Sequence, residues 1–585
     1  MFRKRLVGAF LVVSTTVGAS IAAPRIARAQ EVIDLDDDGD KPAAKSPKKK
    51  ASGKKKGAVD IDLDEGSDKG GGSAAAGQMT EEAAAAKRLF DKDRYAEAAV
   101  SLYRVVAGET GDDPGNQQLA QYYLAVSLYK LKFYQASYAL FSMISMQKEH
   151  LKFRETLLWL AKLATQLPEP ADIIERVGKY SDEEVARFDN PQQKELFWQL
   201  NYMLGRYKYR NRQYEDAIRL FQKVDVESPY YVQSQFFSGI SYVQIRKSVP
   251  AIKSFQRVEK ALDDGAEGVE DEGRMRDLAY LSMARTYYSS SIKLDAETNA
   301  PNVNSEKLSA AVKYWNQVDE ASEYWLDALF EESWAYFMAG DYPRALGNIH
   351  TIQAPYFPGS FYPEADILKA VIYFSNCNYE AATTVVARFN KKHEPIRKEL
   401  QKVLTQHFKS GSPEESYKFL LSVRDGTAGL DDSIKSIVEN AMSDRQLLRN
   451  IEYVKVLDQE MEHFQQAPGQ FKSSGLGQQV QDALKLARSM AVQSAGKLAK
   501  SRFDRNLDDL DEHLRNGEKI LIDITAAQRN LLDEKLQQGQ VSKVDAKIYG
   551  VVKPDEEHLL WPFQGEYWRD ELGFYRQVVE SACGR

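Results

Sequence analysis

Apolar residues recur three and four positions apart along most of this chain, the spacing of one buried helix face. Ala217, Ile218, Leu220, Phe221 and Val224 form one such face, and Ala251, Ile252, Phe255 and Val258 form another. The two match residue by residue. Ala217-Ile218-Arg219-Leu220-Phe221-Gln222-Lys223-Val224 stands 34 positions before Ala251-Ile252-Lys253-Ser254-Phe255-Gln256-Arg257-Val258, and Gly205 precedes Gly239 by the same 34. The predicted unit is a pair of short amphipathic helices. A small residue in the first lets the second pack close.

This unit resembles the tetratricopeptide repeat family, whose pattern is a small first-helix residue, a following Tyr, then Ala and an aromatic on the second helix, and a closing Pro. One unit carries Leu204, Gly205, Tyr214, Ala217, Phe221 and Pro229; the next carries Gly239, Tyr242, Ala251, Phe255 and Val258. An earlier unit has Leu124, Ala125, Tyr134, Phe141 and Ile144, with Ser137 where Ala is usual. The first, near residue 80, has Tyr95, Ala98, Leu102 and Val105. Later units show Gly340-Asp341-Tyr342 with Ala345, and Tyr373, Tyr379, Ala382 and Val386. Ala284, Tyr287, Ala311, Trp315 and Val318 make a unit split by an insertion over 295–307. Residues 151–190 read as a degenerate hairpin broken by Pro168-Glu169-Pro170. The spacing departs from 34 in places: Tyr95 to Tyr134 is 39 and Tyr342 to Tyr379 is 37.

The resemblance covers 79–400 and implies an α-solenoid. Each repeat buries its inner face only against its neighbours, so the quoted Ala, Phe, Tyr and Leu positions are core, not ligand site. The family further implies a concave groove, lined by first helices, that holds a partner's peptide or helix. The Lys/Asn carboxylate clamp of some members has no counterpart around Tyr202, Arg206 and Phe236.

Residues 401–545 read as helical, with the 34-residue rhythm lost from about 430. Leu447, Ile451, Val454, Leu457 and Met461 form one stripe. Turn signals follow at Ala467-Pro468-Gly469 and from Ser473 to Gly477. A long pattern over about 478–538 then carries Phe503, Leu507, Leu510, Leu514, Leu521, Ile524 and Leu531 as a coiled-coil seam, with Gly517 and Gln528 as weak points. The two stripes pair either as an antiparallel hairpin within the chain or in a homodimer; the intramolecular pairing is favoured. The expected fold class is therefore all-α: an α-solenoid of the tetratricopeptide type, followed by a long helical, coiled-coil region.

Residues 546–585 are dense in aromatics. Trp561, Phe563, Tyr567, Trp568, Arg569 and Tyr575 are candidate partner-binding residues, because rings with charges among them make interaction hot spots. The alternative is that the segment caps the coil. The expected arrangement is mixed, with a Trp561-Pro562-Phe563 turn docked on helices and a Tyr567–Tyr575 helix facing outward. This segment is similar, in one short motif, to the C-terminal tails of periplasmic repeat proteins of gliding delta-type bacteria.

The N-terminus changes the compartment. Arg3, Lys4 and Arg5 precede an apolar run from Leu6 to Val13, and Ala27-Arg28-Ala29 is an A-x-A cleavage site. Residues 1–29 thus read as a signal peptide cleaved after Ala29, placing the mature chain in the periplasm. The run is short of the roughly 20 residues that span a bilayer, so no transmembrane span is expected in the mature chain. Residues 30–78 hold two acidic blocks, Val32 to Asp38 and Val59 to Glu65, around a basic block of Lys48 to Lys50 and Lys54 to Lys56. They read as a charged linker. Its blocks are a solvated spacer, strand-adding motifs, or a lysine contact to anionic lipid or cell-wall polymer.

Composition agrees with this reading. The chain has 585 residues, 43% of them hydrophobic and 11% aromatic, enough for an extensive core. Its 35 Gly and 19 Pro make about 9%, below the roughly 12% of average usage, which favours helices. The formal charge of -7 gives no case for nucleic acid, which requires a basic face. Two cysteines, Cys377 and Cys583, exclude a disulfide-dense scaffold and leave open whether they pair. No phosphate-binding loop, nucleophile elbow, H-E-x-x-H or C-x-x-C is present, and the seven histidines lack metal-ligand spacing. No catalytic residue, metal or cofactor is therefore assigned, and the chain reads as a non-enzyme. The expected function is a periplasmic scaffold or adaptor in a cell-envelope complex. Its partners are other envelope proteins, and a gliding-motility or envelope-spanning trafficking machine is the sharpest version. The alternative is a binding module for peptidoglycan or another cell-wall glycan.

Overall fold

The computed structural model describes residues 76–294, 301–357, 359–408, 412–538, 548–549, 556 and 558–583. The expected signal peptide, and the charged linker as far as 75, lie outside the described residues. The protein is 71% helical, and the described residues carry 22 α-helices and only two- or three-residue strands. The all-α, solenoid-like fold is what the apolar spacing predicts.

Seven helical hairpins make up the array. They are α1 (Glu81–Asp91) with α2 (Tyr95–Val106), and α3 (Pro114–Lys130) with α4 (Tyr134–Ile144). After a gap come α8 (Lys194–Arg210) with α9 (Tyr214–Phe221), and α10 (Tyr231–Gln244) with α11 (Ser248–Asp263). The last three are α12 (Glu272–Ser291) with α13 (Ser305–Trp315), α14 (Trp325–Ala339) with α15 (Tyr342–Ile352), and α16 (Pro363–Ser375) with α17 (Tyr379–His407). The degenerate stretch contains α5 (Thr156–Ala164), a 3-10 turn at Glu169–Ala171, and the short helices α6 (Ile173–Val177) and α7 (Asp182–Ala186). In the α12–α13 insertion, β1 (Ile292–Leu294) pairs antiparallel with β2 (Pro301–Val303).

Six of these hairpins turn in the same way. Two residues before the second helix, Asp93, Lys132, Arg212, Arg246 and Cys377 adopt left-handed backbone with φ between 57° and 65°, and Gly340 does so at 77°. The next amide then bonds back five residues, as in Phe133 N to Leu128 O at 2.9 Å and Lys247 N to Tyr242 O at 2.8 Å. This is the Schellman closure of the first helix. It repeats although five of the six residues are not glycine. Small first-helix residues do bring the second helix close. A Cβ on Gly205 would lie 2.6 Å from the Phe221 ring, and one on Gly239 would lie 2.4 Å from Phe255. Ala98, Ala217, Ala251, Ala311, Ala345 and Ala382 are all fully buried. Ser137 takes the Ala position by donating its hydroxyl to Ala125 O at 2.8 Å.

The C-terminal helices are α18 (Pro413–Arg424), α19 (Asp432–Met442), α20 (Arg445–Gln466), the single turn α21 (Gly469–Lys472) and α22 (Gly475–Gln538), 64 residues long. α20 and α22 pair antiparallel within the chain: Arg488 bonds Asp458 at 2.7 Å, and Arg502 pairs with Asp444 further along. Phe503, Leu510 and Ile524 of the seam are buried, against α17–α18 neighbours such as Phe408, whose ring lies 5.3 Å from Phe503. Side-chain detail of Leu531 lies outside the described residues. Gly517 is a packing site instead of a weak point, since a Cβ there would stand 3.2 Å from Val386.

α22 also joins the two ends of the array. Gly475 at its start abuts Tyr103 of α2, while Gly517 abuts Val386 of α17. At about 1.5 Å per residue that stretch measures roughly 63 Å. α20 and α21 secure the first end. Phe471 stacks on Phe133 at 5.5 Å, and the buried Glu460 carboxylate accepts from Gln135 N at the start of α4 at 3.0 Å. Glu169, in the Pro-Glu-Pro interruption, bonds Arg206 at 2.5 Å and Arg449 of α20 at 2.6 Å, and also pairs with Arg210.

Candidate interaction site

Residues 558–583 form a strap across α14, α15 and α16. Its chain is held mostly by backbone groups. Gln577 N donates to Pro343 O at 2.9 Å, and Ala582 N donates to Asn376 O at 2.8 Å. Gly573 N donates to Thr351 Oγ1 at 3.0 Å, and Gln577 Nε2 to Tyr373 OH at 2.8 Å. Tyr356 OH donates to Tyr567 O at 2.8 Å. Leu572 and Val579 are the strap's buried apolar anchors. At its end Cys583 is disulfide-bonded to Cys377, in the α16–α17 turn. The left-handed backbone at Cys377 belongs to the repeat's own turn.

Gly347 is what lets the strap lie so close. It sits in the middle of α15, and a Cβ there would fall 1.6 Å from Tyr575 O. Three residues on, His350 is enclosed by the strap. Tyr567 stacks on it at 4.5 Å and 19°, while Phe563 and Tyr575 meet it edge-on at 4.6 Å and 5.0 Å. Burial, with Lys369 nearby, pushes the His350 imidazole down to about 4.

The strap corrects three expectations. Residues 567–575 form no α-helix, only a 3-10 turn at Arg569–Glu571. Gly565 and Gly573, with positive φ of 108° and 86°, break the helical backbone on either side and leave only 566–572 between them, about two turns. The segment also docks on the repeat array and does not cap the coil, because the disulfide ties its end to α16–α17. The outward face is reversed as well: Tyr567 and Tyr575 turn to the array. Trp561 and Phe563 are each 53% exposed, although Phe563 still meets His350 of α15. Trp561 packs against Trp568 at 4.7 Å and donates its indole N–H to Glu566. Trp568 is partly exposed, and both its backbone N and O bond the Tyr575 hydroxyl, at 2.8 Å and 3.2 Å. Arg569 stands exposed in the 3-10 turn. The candidates Trp561, Phe563, Tyr567, Trp568, Arg569 and Tyr575 are thus brought onto one strap, with only some of their rings free.

Beneath the strap runs a cleft of about 1260 Å³. Glu332 on its floor accepts from Asn348 at 2.8 Å and Tyr336 at 2.9 Å, and burial pushes its carboxyl up to about 7. Arg344, Lys369 and Arg388 line it too, and burial lowers the Lys369 ammonium. Trp561, Phe563 and Phe574 border its mouth. Apolar rings around a cleft of mixed charge suit it to receiving a partner's apolar side chains.

Sequence reasoning missed the surface beneath. One signal was present: aligned on Ala217, Ala251 and Ala345, Gly347 stands where α9 and α11 have Arg219 and Lys253, and His350 where they have Gln222 and Gln256. Those four are exposed, while Gly347 is buried and His350 partly so. A mid-helix glycine at a solvent position costs stability unless something must approach closely. Among the described residues no group of three His, Cys, Asp or Glu is placed to hold a metal ion. Compared with models of known protein families the chain matches none, and no curated protein matches it.

Proposed function

We propose that the chain is an exported, periplasmic scaffold of the tetratricopeptide type that binds other proteins of a cell-envelope complex through the strap over α14–α16. The observation that carries this reading is the concentration of exposed apolar surface there. Seven of the sixteen large apolar side chains exposed among the described residues lie between 559 and 578. Leu559 is 83% exposed and Phe574 68%. Such a patch, rimmed by charge and held in place by a disulfide, marks an interaction surface. Two further observations support the compartment and the role. A disulfide between the chain's two cysteines fits an oxidising compartment. The chain itself occupies part of the surface of α2 and α4, on which α20–α22 lie. No described helix is long and apolar enough to cross a membrane. A gliding-motility or envelope-spanning trafficking machine is the specific setting proposed.

The test is in-cell photo-crosslinking from position 574, with position 249, also exposed, as control. Capture of one or a few envelope proteins from 574 alone supports the scaffold. Capture of peptidoglycan fragments transfers the reading to a cell-wall-binding module. Equal capture from both positions refutes a strap-centred interface.

A further inference from the structure

We infer that the Cys377–Cys583 disulfide is a redox latch, whose reduction by a dithiol frees the strap and uncovers a docking surface on α14–α16 for an extended, aromatic-bearing protein segment. The segment that docks beneath the released strap is a different occupant from the partner proposed to bind the strap's exposed face, so neither the release nor the docking rests on that reading.

Three observations carry it. First, the bond sits where it controls little but the strap. Cys377 occupies a turn whose five counterparts, at Asp93, Lys132, Arg212, Arg246 and Gly340, form with no disulfide. The hairpin therefore does not need the bond to fold. Second, the bond is reachable. Cys583 is exposed, and its Sγ lies 3.7 Å from Ser375 O at the surface. Third, the strap covers a surface made for it. Gly347, His350, Thr351 and Trp325 all meet strap atoms, and in the sister helices α9 and α11 the equivalents of Gly347 and His350 are solvent-facing Arg219, Lys253, Gln222 and Gln256. A surface shaped to take extended backbone and aromatic rings accepts another segment of the same chemistry once its own has left. That fixes the occupant as an extended peptide with aromatic side chains, its backbone facing Gly347 as that of Tyr575 does.

The chemistry balances with one reductant. A thiolate of the dithiol attacks Cys583 Sγ. The Cys377–Cys583 bond breaks, Cys377 leaves as a thiolate and takes a proton from water, and a mixed disulfide forms. The second thiol of the reductant then attacks that mixed disulfide and releases Cys583 as a thiol. Two electrons pass to the protein, and the dithiol leaves as its own disulfide.

The test is hydrogen exchange of the full-length protein, oxidised, after dithiothreitol, and as the Cys377→Ser, Cys583→Ser double variant. The amides of Gly573, Gln577 and Ala582 report the strap, and α8–α11 report the array. Reduction and the double variant should each speed strap exchange on the order of tenfold or more, with α8–α11 unchanged. A fluorescent peptide of residues 558–583 carrying Ser at 583 should then bind the reduced protein and not the oxidised one. Three results overturn the latch: strap protection that survives loss of the bond, loss of protection throughout the array, or a bond that dithiothreitol leaves intact in the native protein. None of these involves a partner, so failure here leaves the crosslinking test of the scaffold reading untouched.

Discussion

Gly347→Ala separates the strap from the array, because one methyl group acts on the two with opposite sign. A Cβ at 347 would lie 1.6 Å from Tyr575 O and 2.4 Å from its carbonyl carbon, whereas real Cβ contacts are essentially never under 3.0 Å. The strap backbone must therefore retreat by at least about 1.4 Å, and no side-chain rotation relieves the clash. That shift breaks the Gln577 N–Pro343 O and Gly573 N–Thr351 Oγ1 bonds and lifts Tyr575 from His350. At roughly 0.5–1.5 kcal/mol for each of the two bonds and for the ring contact, strap docking loses about 1.5–4.5 kcal/mol. α15 meanwhile gains about 0.5–1 kcal/mol from Ala over Gly in a helix interior. Hydrogen exchange should show strap amides 573–582 opening roughly tenfold or more faster. The array should melt at or slightly above its usual temperature. Unchanged strap protection would refute the close-approach argument. Loss of protection in α14 and α16 would show that the strap is part of the array's own core.

Ala217→Glu or Ala251→Glu places a charge at a fully buried helix contact and should cost more than ~3 kcal/mol, read as a lowered melting temperature; a variant that melts normally would remove those alanines from the core. Thermal stability should peak near pH 6–6.5. Burial raises Glu460 to about 8 and Glu332 to about 7 from an ordinary 4.5, so their contribution is present below 4.5 and lost as pH rises through 7–8. Burial lowers His150, His350 and His393 to about 4 from 6.5, so theirs is present above 6.5 and lost as pH falls towards 4. Glu460→Gln should flatten the alkaline limb, and a melting temperature still rising at pH 9 would contradict the assignment. Mass spectrometry of the mature protein should find Gln30 at its start; an intact Met1 in washed membranes would overturn export with cleavage.

The hairpins were legible because everything that forms them is local. Helix spacing, the Tyr that opens five of the seven second helices, and a small residue opposite an aromatic all lie within one 34-residue unit, as Gly205 with Phe221 illustrates. That α20 and α22 fold back on each other was legible as two helices separated by one turn, but the stripes were mismatched. α20 meets the first part of α22, up to Arg502, and the seam from Phe503 onward packs on α16–α17 instead. What only the tertiary structure decided joins residues far apart in sequence. Cys377 meets Cys583 across 206 residues, Glu169 meets Arg449 across 280, and Glu460 meets Gln135 across 325. Each of these residues reads in the sequence as an ordinary surface position, a lone cysteine or one more acid in a charged chain. No periodicity records which distant face it meets. That is settled by where the stacked repeats carry their ends, and by the 64-residue helix that spans between them. The strap shows the limit most plainly. Its aromatic composition marked a contact surface, but only the structure shows that Tyr567 and Tyr575 lie on the Gly347 and His350 face of a helix whose sisters turn the same face to water, while Trp561, Phe563 and Phe574 stay exposed.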